Sequence, residues 1–227
     1  NVIAFTILPQ FNPGNITGGE SGTYCYNYDP PLLVANPVGA SGTYTYQWQY
    51  SNDGNTWVNI NGATGKTYDP PALTSTRHYR VLIDPTGTPD CGGAVPSNNV
   101  IAFTILPQFN PGNITGESSG EYYMSYDPEE MTVTPAGASG MYNYQWQISY
   151  DGQEWIDIPG ANTSKYNSPA IYQTTYFRVI VDPAGVPDCG TAQSSNNFIK
   201  ITIFSEFIPG EITGETSGTY YMSYDPK

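Results

Sequence analysis

The amino-acid sequence predicts an all-β chain of tandem two-sheet domains, and three observations make that prediction. The sequence repeats without a gap at a spacing of 98 residues: Asn1-Val2-Ile3-Ala4-Phe5 returns as Asn99-Val100-Ile101-Ala102-Phe103, and Asn197-Phe198-Ile199 opens a third copy. A period of that size is the length of a domain, not of a solenoid repeat. Apolar residues alternate every second position, the signature of strands with one buried face, and no stretch has a helical period. Finally, 24 Gly, 20 Pro and 20 Tyr, with charged residues at only 12%, describe many short strands joined by turns.

Taken in order, each copy opens with Ile16-Thr17-Gly18 or its counterpart Ile114-Thr115-Gly116. The strongest strand follows, with Tyr44, Tyr46, Trp48 and Tyr50 on one face and Thr45, Gln47 and Gln49 on the other; Tyr142, Tyr144, Trp146 and Ile148 repeat it. Asp53-Gly54 and Asp151-Gly152 then signal hairpin turns, because both turn residues tolerate positive φ. Trp57-Val58-Asn59-Ile60 forms the return strand. Tyr79-Arg80-Val81-Leu82-Ile83 and Val100 to Ile105 are the later strands of the copy.

Two phases fit this pattern. A domain either runs from Asn1 to about Asn98, with Asp84 to Ser97 as the linker, or begins at Ile16. Pro9, Pro13 and Gly14 suit a short stiff joint, and Asp84 to Ser97 suits a loop between paired strands, so the second phase is adopted. It gives domains at 16–106 and 114–205 and linkers at 9–15 and 107–113. Residues 1–8 become the last strand of a preceding truncated repeat, and 206–227 a linker and the start of a third. Val2 to Leu8 is apolar on nearly both faces and is expected to pair with another strand.

Lys and Arg total 7 against 20 acidic residues, and the net charge of -13 repels nucleic-acid phosphates and anionic lipid heads. Nucleic acid is excluded as a partner, and no apolar run is long enough for membrane insertion. Three cysteines and an acidic, Tyr-rich and Thr-rich composition fit an extracellular protein.

The motif Tyr46-Gln47-Trp48-Gln49, followed by Ile60-Asn61-Gly62-Ala63-Thr64, Tyr68, Tyr79-Arg80-Val81 and Ser97-Asn98-Asn99-Val100, resembles the immunoglobulin-like repeats of large secreted Bacteroidota surface proteins, including gliding-motility adhesins exported by the type IX route. The resemblance covers each whole repeat and implies a β-sandwich with Trp48 and Trp146 on the third strand, packed between the sheets beside Tyr46 and Tyr144. Val81 and Val179 then occupy the sixth-strand position where antibody domains carry a cysteine. The tyrosine of a tyrosine corner is Tyr79 in the first copy and Phe177 in the second, so that corner is dispensable. Related repeats often carry one cysteine near the start and one in the last loop, which implies a Cys25 to Cys91 disulfide; Tyr123 stands where Cys25 would be in the second copy.

The remaining motifs point to structure more than to chemistry. Ser51-x-Asp53-Gly54-x-x-Trp57 and Ser149-x-Asp151-Gly152-x-x-Trp155 are one residue short of the Asp-box of sialidase-type propellers, a turn device even there. His78 has Tyr176 at its equivalent place, so it is not a shared catalytic base. Three dispersed cysteines and one histidine do not assemble a zinc site, and no Lys recurs to form isopeptide crosslinks. The bacterial source that the resemblance implies makes the Asn-x-Ser/Thr matches at Asn15, Asn113 and Asn162 coincidental. The loops holding Asp84 and Asp90, and Asp182 and Asp188, are candidate Ca²⁺ ligands at the joints, although Asp and Pro also simply initiate turns. Tyr122, Tyr123 and Tyr126, with Tyr220, Tyr221 and Tyr224, lie near the starts of their copies and suit packing on a neighbouring repeat or stacking on sugar rings. Two similar domains with no shared catalytic constellation predict a non-enzyme. The expected function is a stalk or filament segment of a repetitive cell-surface adhesin, with neighbouring repeats, surface polysaccharide or another filament strand as partners. A carbohydrate-binding array accessory to a secreted polysaccharide-degrading enzyme is the alternative.

Overall fold

The structure is a computed structural model that describes residues 3–89 and 92–206. The first repeat contributes β1 (Ile16–Thr17), β2 (Gly22–Tyr24), β3 (Leu33–Ala35), β4 (Tyr44–Ser51), β5 (Val58–Asn59), β6 (Thr67–Tyr68), β7 (Arg77–Pro85), β8 (Val95–Pro96) and β9 (Ile101–Ile105). The second contributes β10 (Ile114–Thr115), β11 (Gly120–Tyr123), β12 (Met131–Val133), β13 (Tyr142–Ser149), β14 (Ile156–Asp157), β15 (Lys165–Tyr166), β16 (Thr175–Pro183), β17 (Gln193–Ser194) and β18 (Ile199–Phe204). Each set folds into a small sheet, β1-β3-β6 or β10-β12-β15, facing a larger one, β2-β9-β7-β4-β5 or β11-β18-β16-β13-β14.

The alternation read in the sequence decides which side chains lie between the sheets. In the first repeat β4 and β7 pair in a register that sets Trp48 opposite Val81 and Tyr46 opposite Ile83. Trp48, Val81, Ile83, Leu33 and Phe103 are each fully buried. The indole of Trp48 does not leave its N–H unpaired; Nε1 donates to the Gly65 carbonyl at 3.0 Å. Trp146 repeats this in the second repeat, donating to Thr163 at 2.9 Å. Tyr46 and Tyr144 flank these cores as partly buried rings. The buried residues form two separate clusters, one in each repeat.

Each chain segment crosses from the small sheet to the large one between β1 and β2, or β10 and β11. Gly18 and Gly116 sit at this crossing with φ of 100° and 96°, and a Cβ at Gly18 would meet the Leu32 carbonyl at 1.9 Å. The crossing lets β2 run parallel to β9, and β11 parallel to β18. Parallel pairing was not legible in the sequence, and it determines where Cys25 goes.

One expectation is corrected. The segments read as linkers at 9–15 and 107–113 are edges docked on the sandwich that follows. Asn12 and Val38 exchange backbone hydrogen bonds at 2.9 Å, as do Asn110 and Ala136, and the Pro107 carbonyl accepts from Ala138 N–H at 2.8 Å. The free backbone groups of an edge strand attract such pairing, and Gly39 and Gly137 (φ 87° and 81°) permit the close approach. The turns at Asp53-Gly54 and Asp151-Gly152 join antiparallel strands, β4 to β5 and β13 to β14. Only the glycines take positive φ, 76° in both. Each aspartate instead folds the loop by accepting hydrogen bonds. Residues 3–8 form no strand in this chain, and Ile3, Phe5 and Ile7 are 76%, 86% and 91% exposed although their counterparts Ile101, Phe103 and Ile105 are buried.

Candidate functional site

The place where the two repeats are joined by more than the chain itself is the candidate site. On the first repeat it is built by the end of β2. Because β2 is parallel to β9, Tyr24 stands opposite Ile105 and its carbonyl accepts from Leu106 N–H at 2.9 Å. Cys25 is thereby carried to the end at which the chain leaves the sandwich. Asn27, in the left-handed region at φ 65°, donates from its N–H to Leu73 and ties this segment to the loop before β7.

The second repeat supplies the loop between β16 and β17. Ser139 donates from its hydroxyl to the Ala184 carbonyl at 2.7 Å and anchors the loop. Gly185, at φ 147°, lies so close that a Cβ would come within 2.4 Å of the same hydroxyl. The loop delivers Cys189 to Cys25, and the two form a disulfide with Cα atoms 5.2 Å apart and a sequence separation of 164 residues. The Asp188 carbonyl lies 3.4 Å from the Cys25 sulfur.

This overturns the expected Cys25 to Cys91 bridge. The resemblance placed both cysteines in one repeat, but the parallel run of β2 takes Cys25 to the exit end, whereas β7 finishes at Pro85, opposite Tyr44, at the other end of the sheet. Cys91 and Asp90 themselves lie outside the described residues. Cys189, which had no partner within its own repeat, finds one in the repeat before it.

The aspartates of the hairpin turns shape their loops. The Asp53 carboxylate accepts from Asn55 N–H at 2.9 Å, Thr56 N–H at 2.8 Å and the Ser51 hydroxyl at 2.8 Å. These bonds, the backbone ones foremost, hold its carboxyl well below the usual range, and the same pattern lowers Asp151. The ring of His78 lies over Gly54 as that of Tyr176 lies over Gly152. Asp84 and Asp182 sit on strands opposite Thr45 and Asn143. Among the described residues no group of three or more His, Cys, Asp or Glu is placed to hold a metal. Tyr122 and Tyr126 stack on one another with centroids 3.6 Å apart, as Tyr24 and Tyr28 do at 3.9 Å. Burial and hydrogen bonding serve packing there, while Tyr123 is 76% exposed at the exit end. Tyr220, Tyr221 and Tyr224 lie outside the described residues.

Sequence reading missed two devices. Arg80 lies over Trp57 at 4.3 Å and Arg178 over Trp155 at 4.2 Å, each donating through Nε to Gln49 or Gln147 at 2.7 Å. Asn99 and Asn197 act as side-chain strand partners: Oδ1 accepts from the N–H, and Nδ2 donates to the carbonyl, of Ile16 or Ile114. Recurrence at the 98-residue spacing was the available signal for both.

Two facing sheets, a buried tryptophan on the long central strand and a duplicated topology define tandem immunoglobulin-like β-sandwich domains. The chain belongs to the family described as Domain of unknown function (DUF8696), which matches residues 12–107 and 111–203. No curated protein matches it. Among solved structures it is similar to the fibronectin(III)-like modules of Clostridium thermocellum CbhA, at 16% identity over 87% of this chain and 100% of that one, with a TM-score of 0.29. It is also similar to mouse cadherin-23 EC22-24, at 13% identity over 87% of this chain and 66% of that one, with a TM-score of 0.47. At these identities and scores the strand order remains the basis for the fold.

Proposed function

We propose that this chain is a tension-bearing spacer segment of a large repetitive extracellular adhesin, a stalk that sets distance in cell-surface attachment or gliding, and that it is not an enzyme. The observation that carries this reading is the path of the Cys25–Cys189 bond. Pulled from its two ends, the chain passes load from Cys25 directly to Cys189. Residues 26–188, with most of both cores, then lie outside the tensile path and cannot be drawn out. A disulfide also fits an oxidising, extracellular setting.

The carbohydrate-binding alternative asks for exposed aromatic rings on the same face of both repeats. Tyr150 and Tyr172 are exposed on the second repeat, but their counterparts are Asn52 and Thr74. The spacer reading is therefore preferred.

Single-molecule stretching tests it. Reduction is expected to lengthen the fully extended chain by about 570 Å, the span of 164 residues at about 3.5 Å each. Equal extension before and after reduction would refute the bypass.

A further inference from the structure

The exit end of the second repeat is unlike that of the first. Its counterpart of Cys25 is Tyr123, so the bond that closes the first joint cannot form there. In its place stand five exposed apolar side chains: Tyr123 (76%), Met124 (59%), Tyr150 (49%), Tyr172 (75%) and Phe204 (41%). Topology gathers them at one end. Tyr123 is opposite Phe204 in the parallel pair β11–β18, with ring centroids 5.5 Å apart. Tyr126 bridges to Ile171, next to Tyr172, and Tyr150 follows the last residue of β13. Tyr150 and Tyr172 line one groove of about 360 Å³. At the corresponding positions the first repeat has Cys25, Tyr26, Asn52, Thr74 and Leu106.

We propose that this aromatic end is a docking surface for the next repeat of the same chain, so that the array contains two kinds of joint, one closed by a disulfide and one by aromatic packing. The proposal rests on the spacer reading and specifies its second joint. Two observations name the occupant. On the first repeat this same end is already tied to the following repeat, through the loop that carries Cys189. The chain leaves the second repeat at Phe204 and continues into Ile212-Thr213-Gly214, with Tyr220-Tyr221-Met222-Ser223-Tyr224-Asp225-Pro226 after it, which matches the opening of the second copy from Ile114 to Pro128. A clustered apolar patch at the point where a further domain begins is the surface such a domain covers. Tyrosine suits the task because it offers a large rigid contact at little entropic cost.

Hydroxyl-radical footprinting decides the matter, on the chain as it stands and on a chain extended through a complete third repeat. Extension is expected to lower modification of Tyr172 about fivefold, as its exposed area falls to that of a covered interface side chain, with Met124 following. Met141, at the opposite end of the sandwich, stays unchanged. Replacing Tyr123→Ser and Tyr172→Ser together restores modification of Met124 in the extended chain while the strand signature in circular dichroism persists. An identical footprint with and without the third repeat overturns the proposal. So does protection that appears in the unextended chain only on adding a neutral polysaccharide, or only as protein concentration rises, since the occupant is then a glycan or a second copy. Failure here leaves the cysteine bypass untouched, and the stretching measurement judges that separately.

Discussion

At the residue scale, much of the sandwich depends on side chains that satisfy backbone polar groups. Asn99 is one: it holds both backbone groups of Ile16, whose two-residue strand has few other bonds. Asn99→Ala is expected to cost about 1–3 kcal/mol by leaving those groups unpaired, and chemical denaturation of the reduced protein measures it. Tyr79 gives a pH signature. Burial is the first cause that pushes its phenol well above the ordinary value, with Tyr68 adding to it. A raised pKa in the folded state means that its contribution to stability is complete below the unfolded tyrosine pKa of about 10 and is lost as pH rises beyond it. The first repeat is therefore expected to weaken above about pH 10, and Tyr79→Phe, the residue already present at Phe177, to remove part of that loss. Unfolding curves taken at rising pH check it; an unaltered alkaline limb in the variant counts against the assignment.

At the element scale, each sandwich closes its own core, so damage should remain local. Trp48→Ala leaves a cavity expected to cost about 3–5 kcal/mol. In reduced protein only the first unfolding transition should move, which calorimetry resolves; a joint shift of both transitions would mean one shared core. The docked edge segments make a second case. A Cβ at Gly39 would meet the Gln10 carbonyl at 2.0 Å, so Gly39→Ala should release residues 9–12, seen as faster amide exchange at Asn12 and Ala40. Much of this level was legible in the sequence. Alternation around Trp48 and Trp146 located the long central strands, and the 98-residue spacing fixed equivalent positions. The docked edges were not legible, because Pro9, Pro13 and Gly14 read as a joint by composition, while their pairing with Val38 depends on tertiary contact. The aspartate turns were located, but the part each aspartate plays in them was not legible. Asp-Gly signals a turn through φ, and here the aspartate acts through its carboxylate.

At the scale of the whole molecule, the decisive feature is the one the sequence pointed away from. The resemblance to repeats with one cysteine near the start and one in the last loop implied a bridge between Cys25 and Cys91, within one repeat. The parallel pairing of β2 with β9 sends Cys25 towards the next repeat instead, and nothing in strand-forming propensity distinguishes a parallel from an antiparallel edge. Crossing the boundary changes what the bond does: it ties two domains together and removes most of both from the line of pull. Reversible shortening by oxidation and lengthening by reduction follow from that geometry. Disulfide mapping of the intact chain by mass spectrometry under non-reducing conditions tests this most directly. A crosslinked pair of peptides containing Cys25 and Cys189 is the expected result; a crosslink between Cys25 and Cys91 would contradict the bypass.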